Sequence, residues 1–295
     1  FLACLALLAP LASPEECVPV TADHVQYTIN RIDAAKVAVD PYPHLYITDV
    51  FAPDLYECML DRVPHFGIFE AGADKQKQQK GGHRWALPLL EDVSKSTKQR
   101  LQKQGALGLT AESKEVRKLA DAGLDVAFWK SWANAFADER FKNVWATKFQ
   151  RTLKLRTKDW ADYIDNKAAL RVELNHDVSG FQLGPHTDRL DKLVTMLYYL
   201  QPSNSSVAKK ERPTGTSLMR SRSNMEQHFA SPHQKFGKEF EEVRTVAFAP
   251  NSAFAFATCY TSWHAVKKSP TERLSLQSFI MAPDKKLRKQ RCPTS

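Results

Sequence analysis

The feature that most constrains this chain is a pair of residues, His186 and Asp188, followed much later by His264 and then by Arg273. Two imidazoles and one carboxylate are the ligand set that holds Fe(II) on one face and leaves the opposite positions open. An arginine near the last ligand can clamp a dicarboxylate. A His-x-Asp pair alone is weak evidence in a chain with nine histidines, so the residues around it decide its meaning.

The segment around the first two ligands predicts that they converge. They follow an extended run at residues 181–183. Side chains alternate between the two faces of a strand, so Gln182, Gly184, His186 and Asp188 are predicted to share one face. We therefore expect the two ligands to point at the same position in space.

The distal segment follows the same logic. Residues 246–256 are typical of a strand, a turn and a second strand, which together deliver His264. In the last strand Arg273, Ser275 and Gln277 share one face, and mainly apolar residues take the other. A cation on a half-buried strand needs an anionic partner, because an unpaired buried charge is very costly. A carboxylate of 2-oxoglutarate would supply that partner.

Taken as a set, these residues resemble the Fe(II)- and 2-oxoglutarate-dependent dioxygenases, and within them the prolyl-4-hydroxylase-like branch. The similar segments are residues 185–188, 193–200, 215–218 and 41–51, together with His264 and residues 273–275. The resemblance covers roughly residues 40–282. It implies a mainly β fold with helical additions: a double-stranded β-helix, which is a jelly-roll, cupin-like barrel, packed against N-terminal helices.

The resemblance also implies roles for individual residues. His186, Asp188 and His264 would be the catalytic iron ligands, and Arg273 would pair with the distal carboxylate of 2-oxoglutarate. Ser275 would support that carboxylate.

Three more residues complete the cosubstrate-binding set that the resemblance implies. Tyr199 occupies the place of a tyrosine that hydrogen-bonds the same carboxylate in relatives, and Thr195 lies on the same strand face. His176 stands where relatives often carry a tyrosine. Its position fits either the lining of the pocket or burial with a backbone partner.

The implied reaction is hydroxylation of an unactivated C–H bond by O₂, with release of succinate and CO₂. Its cofactor would be Fe(II) and its cosubstrate would be 2-oxoglutarate. Ascorbate is left open as a further cofactor. The substrate is left open between a small molecule and a peptidyl proline. Nucleic acid is disfavoured, because Phe279 stands where the nucleic-acid demethylase branch carries a second arginine. The alternative is a non-catalytic, cupin-like binding module, against which the complete ligand set and Arg273 argue.

The length of 295 residues and the hydrophobic content of 43% suit one domain with a large core. We expect that dioxygenase domain at residues 21–285, with a basic tail at residues 286–295. The formal net charge of +9 bears on solubility and on the electrostatic attraction of charged ligands before it indicates a function. Polar segments at residues 73–84 and 220–242 are predicted to cover the open side of the metal site and to select substrate.

Residues 1–20 form an apolar N-terminal segment that is similar to the core of a signal peptide and too short to span a bilayer. We therefore expect no transmembrane segment. A secretory signal, a stray apolar helix and a translated upstream region remain open, and with them a secretory or a soluble intracellular location. The five cysteines show no paired spacing, so neither a disulfide framework nor a zinc site is predicted.

An aromatic stripe at four-residue spacing predicts helices in the middle of the chain. Such a stripe indicates core, and we expect it to pack on the outside of the sheet. Its members are Phe128, Trp132, Phe136, Phe141, Trp145 and Phe149.

Overall fold

The computed structural model of the chain describes residues 17, 19–72, 84–91, 114–189, 191–201, 213–223, 237–282 and 292–293. Helices dominate the first half and strands the second. The helices are α1 (Ala22–Ala34), α2 (Pro53–Asp61), α3 (Phe66–Gly72), α4 (Lys114–Asp121), α5 (Val126–Phe136), α6 (Glu139–Lys148), α7 (Gln150–Arg156) and α8 (Trp160–Asn166). The strands are β1 (His44–Thr48), β2 (Arg84–Glu91), β3 (Ala169–Asp177), β4 (Leu183–His186), β5 (Lys192–Leu200), β6 (Ser217–Ser221), β7 (Phe240–Thr245), β8 (Ser252–Ala257), β9 (His264–Val266) and β10 (Arg273–Met281).

The strands form two sheets, and every pairing is antiparallel. The larger sheet has the order β1-β8-β5-β10-β3-β2, and the smaller has the order β4-β9-β6-β7. The predicted mainly β architecture with added helices is confirmed.

The two faces of the larger sheet have different neighbours. Leu276 and Ile280 of β10 belong to a core cluster that also contains the helical aromatic residues. Tyr199 of β5 and Phe256 of β8 belong to a second cluster with Leu218 of the smaller sheet. Strand alternation therefore sends one set of side chains toward the helices and the other toward the smaller sheet.

The aromatic stripe packs as the sequence predicts. Each of its six residues is buried. Trp132 and Phe136 stack at a centroid distance of 4.5 Å, and Trp145 Nε1 donates a 3.1 Å hydrogen bond to the hydroxyl of Tyr198 on β5. The stripe thus lies on the outer, helix-facing side of the larger sheet.

The two polar segments are only partly as expected. Arg84, predicted as the end of a loop, begins strand β2, and the ends of the segment 220–242 lie in β6 and β7. Residues 73–83 and 224–236 lie outside the described residues. Any role of these segments as a cover remains a prediction.

One expectation about the cysteines is wrong. Cys259 and Cys292 form a disulfide whose Cα atoms are 5.4 Å apart. Their separation of 33 residues gives no local spacing pattern, which is why the sequence did not reveal the pair. The disulfide ties the C-terminal segment to the turn before β9.

No helix in the described part of the chain combines the length and the apolar character that crossing a bilayer requires.

Candidate metal and carboxylate site

The structure brings the predicted iron ligands together. His186 ends β4, Asp188 follows two residues later, and His264 begins β9 as the pairing partner of His186. One ligand atom of each lies within 4.8 Å of the others, and all three residues are buried. Gln182, which was predicted to share their face, is exposed and precedes the first residue of β4.

Backbone carbonyls fix the orientation of both imidazoles. Nδ1 of His186 lies 2.8 Å from the oxygen of Gly184, and Nδ1 of His264 lies 3.0 Å from the oxygen of Ser262. A carbonyl only accepts hydrogen bonds, so each Nδ1 must carry the proton. The lone pair of each Nε2 is then available, which is the arrangement that holds a histidine as a metal ligand.

Burial keeps both imidazoles neutral. It lowers the pKa of His186 to about 3, and the neighbouring His264 adds to this effect. Burial likewise lowers the pKa of His264, against the opposing charge of Asp188. A neutral imidazole is the form that ligates a metal, so the ligand set is ready at neutral pH.

Two side chains hold the carboxylate of Asp188. Thr195 donates a 2.6 Å hydrogen bond to Oδ2, and Nζ of Lys192 donates one of 2.8 Å to Oδ1. Burial would raise the pKa of Asp188, but Lys192 and the two histidines hold it below its ordinary value. Thr195, predicted in the cosubstrate set, therefore contacts a metal-ligand residue, and Lys192 is a contact that the sequence did not predict.

Arg273 is buried on the inner face of the larger sheet, as the alternation predicted, at 2% exposure. Its Nη1 lies 3.4 Å from Oδ2 of Asp177. Its Nε and Nη1 form no hydrogen bond with any described residue. The rings of Phe248 and Phe181 lie 5.2 and 5.6 Å from its guanidinium carbon.

Asp177 is the anion that sequence reasoning missed. It ends β3 in register with both Arg273 and Arg84, and its side chain has no solvent exposure. Arg84 takes both of its oxygens, through Nε at 2.5 Å and Nη2 at 2.8 Å. No sequence spacing reveals this cluster, because its three residues lie on three different strands.

Tyr199 lies near the same arginine. Burial raises its pKa to about 12, and the charge of Arg273 opposes that rise. Its hydroxyl forms a 2.9 Å hydrogen bond with that of Thr216, and its ring stacks on Phe248 at 4.4 Å. Ser275 is its pairing partner on β10, so the predicted serine and tyrosine are neighbours.

Tyr42, which the sequence did not single out, is a second buried tyrosine in the same core cluster as Tyr199. Burial raises its pKa well above the ordinary value, and the charges of Asp188 and Tyr199 add to this. Its hydroxyl is buried and has no hydrogen-bond partner among the described residues. Tyr42 therefore offers a buried donor that no described residue uses.

His176 lies elsewhere. It pairs with Leu274 on β10, on the opposite face of β3 from Asp177. Its Nε2 lies 3.0 Å from the carboxylate of Glu272, and its ring packs against Phe66 and Phe69. The structure does not bring it together with Arg273 on the inner face, and the partner that buries it is a side chain rather than a backbone group.

No protein-family model matches this sequence, and no curated protein matches it. Similar solved structures include a prolyl 4-hydroxylase from Phytophthora capsici, 12% identical with a TM-score of 0.45, which covers 92% of this chain and 69% of that chain. A prolyl-4-hydroxylase from Pseudomonas putida is 10% identical with a TM-score of 0.39, covering 92% and 97%. A prolyl hydroxylase from Trichoplax adhaerens, in complex with a hypoxia inducible factor peptide fragment, is 9% identical with a TM-score of 0.41, covering 88% and 90%.

Proposed function

We propose that this chain is an Fe(II)- and 2-oxoglutarate-dependent dioxygenase that hydroxylates a C–H bond, with the double-stranded β-helix as its fold and residues 21–285 as its domain. The observation that carries the proposal is the buried convergence of His186, Asp188 and His264, together with a buried, incompletely bonded Arg273. An ordinary core would not bury a ligand set and an unsatisfied guanidinium together, because each costs free energy without a partner.

The donor set fits Fe(II). Two neutral imidazoles and one carboxylate are a facial set for non-haem iron. His186, Asp188 and His264 would hold the metal, and the bound iron with 2-oxoglutarate and O₂ would supply the oxidant for C–H hydroxylation. Thr195 and Lys192 fix the carboxylate of Asp188 in place, as the residues around a metal ligand commonly do.

The arginine side fits a dicarboxylate. Arg273 offers Nε and Nη1 donors in a buried setting, where a charge-assisted hydrogen bond is strong. Tyr199 and Ser275 lie beside it, and the buried Tyr42 hydroxyl would supply a further donor to the bound acid. In this proposal the aromatic rings of Phe248 and Phe181 exclude water from the bound carboxylate.

The test measures binding and turnover separately. Anaerobic titration of the Fe(II)-loaded protein with 2-oxoglutarate should show one binding site. Succinate release under air, measured against a panel of small molecules and proline-containing peptides, should then identify the substrate class, and hydroxyproline in a peptide would select the peptidyl reading.

Variants of the ligands make the test specific. His264→Ala should abolish metal binding and turnover and leave the fold intact. His65→Ala, at an exposed histidine, should change neither metal binding nor turnover. Full iron affinity in His264→Ala, or no 2-oxoglutarate binding by the iron-loaded protein, would contradict the proposal.

A further inference from the structure

Two guanidinium groups share one carboxylate on the inner face of the larger sheet. Arg84 binds both oxygens of Asp177, whereas Arg273 lies 3.4 Å from one oxygen without forming a hydrogen bond to it. The side chains of Asp177 and Arg273 are at most 2% exposed, and that of Arg84 is 12% exposed. The cluster therefore buries one more cation than it has anions.

The asymmetry of the cluster identifies whose counter-ion Asp177 is. A bidentate arginine–carboxylate pair uses both oxygens in a fixed plane, which leaves the carboxylate poorly placed for a second guanidinium. The charge of Asp177 raises the pKa of Arg84 despite its burial. Burial lowers the pKa of Arg273, and Asp177 offsets that only in part. Asp177 thus neutralises Arg84 and leaves Arg273 short of an anion.

The ring of Phe181 lies near both guanidinium groups. It lies 4.4 Å from the guanidinium carbon of Arg84 and 5.6 Å from that of Arg273. If Arg84 were removed, Asp177 would need only a small side-chain rotation to bond with Arg273, because the two already lie within ion-pair distance. Arg273 would then be neutralised from within the protein.

We propose that Arg84 is a positioning residue for anion binding: it withholds Asp177 from Arg273 and so keeps the Arg273 guanidinium available for a carboxylate ligand. This inference rests on the proposed function, in which that ligand is the distal carboxylate of 2-oxoglutarate. Arg84 acts through Asp177 and does not itself touch the ligand.

The experiment compares a single variant with a rescuing double variant, and its readout is ligand binding. 2-Oxoglutarate is titrated anaerobically into the Mn(II)-loaded full chain, which binds without turnover, for the wild type, Arg84→Gln and the Arg84→Gln/Asp177→Asn double variant. Arg84→Gln should weaken binding about tenfold or more, as expected for a loss of about 1.4 kcal/mol or greater. The double variant should return to within about threefold of wild type, since no anion remains to neutralise Arg273. Arg140→Gln, which removes an exposed arginine paired with Asp138 on the helical layer, is the matched control and should bind normally.

The outcomes separate this inference from the proposed function. No binding of 2-oxoglutarate by the wild type overturns the proposed function itself. Normal binding by wild type and by Arg84→Gln overturns only the role of Arg84, and equal weakening in the single and double variants also overturns it, because a merely structural role gives no rescue. If Arg84→Gln alone fails to fold, the double variant decides: near-normal binding supports the inference, and a tenfold loss overturns it.

Discussion

Thr195 on β5 donates a 2.6 Å hydrogen bond to Oδ2 of Asp188, which follows the strand that carries His186. The carboxylate is therefore not free to rotate, since Lys192 holds its other oxygen. A carboxylate held in this way presents one defined lone pair to a metal and loses little conformational freedom on binding.

We expect Thr195→Val to lower the affinity for Fe(II) or Mn(II) about 10- to 100-fold, the usual cost of losing a hydrogen bond to a metal ligand. The change keeps the shape of the side chain and removes only the donor. Metal titration followed by a competing chelator would measure it. Thr152→Val is the matched control, because the Thr152 hydroxyl is buried on α7 and has no described partner. Unchanged metal affinity in Thr195→Val would show that the hydrogen bond does not position Asp188.

Arg273→Ala should weaken 2-oxoglutarate binding by about 2–5 kcal/mol, the usual cost of truncating one partner of a buried charged pair. Arg273→Lys should restore only part of the loss, because an ammonium cannot present the two-pronged donor set. Iron affinity should barely change, since Arg273 is not a ligand. Calorimetric titration of the Mn(II)-loaded protein with 2-oxoglutarate would measure the dissociation constant of each variant. An unchanged dissociation constant in Arg273→Ala would remove the cosubstrate from the proposal.

His186, Asp188 and Arg273 were partly predictable because each belongs to a local pattern. His186 and Asp188 are two residues apart and Arg273 alternates with apolar residues along one strand, whereas the role of His264 is implied only by the resemblance of the whole set. The aromatic stripe of α5 and α6 was predictable for the same reason, since its spacing is a property of a single helix.

The partners of these residues were not predictable. Asp177, Arg84 and Arg273 meet only because β3 lies between β2 and β10, and that order depends on the whole sheet. Strand alternation predicted a buried Arg273 in need of an anion, and the structure places Asp177 3.4 Å from it with both carboxylate oxygens already bonded to Arg84. The position of His176 in the sequence fitted the lining of the pocket and burial equally well. It is the neighbour of Asp177 on β3, so its side chain points to the opposite face of the strand, toward the helices.

The metal-free protein should lose stability as the pH falls from about 6.5 toward 3. The folded pKa of His186 is about 3, below the ordinary value near 6.5, and that of His264 is lowered too. Between these values the unfolded chain binds protons that the folded chain excludes, so acid favours unfolding. Asp188 works in the same sense at lower pH, because its folded pKa is depressed and its stabilising contribution is lost as the pH falls below the ordinary carboxyl pKa.

The expected slope is up to about 1.4 kcal/mol per pH unit for each excluded proton. Urea unfolding of the metal-free protein at pH 7.5, 6.5, 5.5 and 4.5 would measure it. A His186→Gln/His264→Gln variant should have a flatter dependence over this window, since its amides do not titrate. Identical slopes for the two proteins would show that these histidines are not buried in the neutral form.

Gly215→Ala should destabilise the fold by about 1–3 kcal/mol or more, as overpacking does. A Cβ at this position would lie 1.9 Å from the carbonyl oxygen of Val246, whose amide donates to Thr216, so backbone would have to move. The same shift should disturb the Thr216 hydroxyl that bonds with Tyr199. Gly67→Ala in α3, where a Cβ meets nothing within 4 Å, should be neutral or stabilising, and a Gly215→Ala protein as stable as Gly67→Ala would contradict the close approach.

Tyr42→Phe should raise the stability of the ligand-free protein and weaken 2-oxoglutarate binding. The Tyr42 hydroxyl is buried without a described partner, and such a group costs about 1–3 kcal/mol, which phenylalanine avoids. In the proposed function this donor serves the bound acid, so its loss should cost binding energy of similar size. Tyr56→Phe is the matched control, with the opposite expected effect on stability. The Tyr56 hydroxyl donates to the backbone oxygen of Gln201 at 2.7 Å and accepts from the backbone N–H of Gln201 at 3.0 Å, so its removal should destabilise the protein. Urea unfolding and titration of the Mn(II) form would give both quantities, and a Tyr42→Phe protein that loses stability while binding 2-oxoglutarate normally would show that the hydroxyl serves the fold and not the ligand.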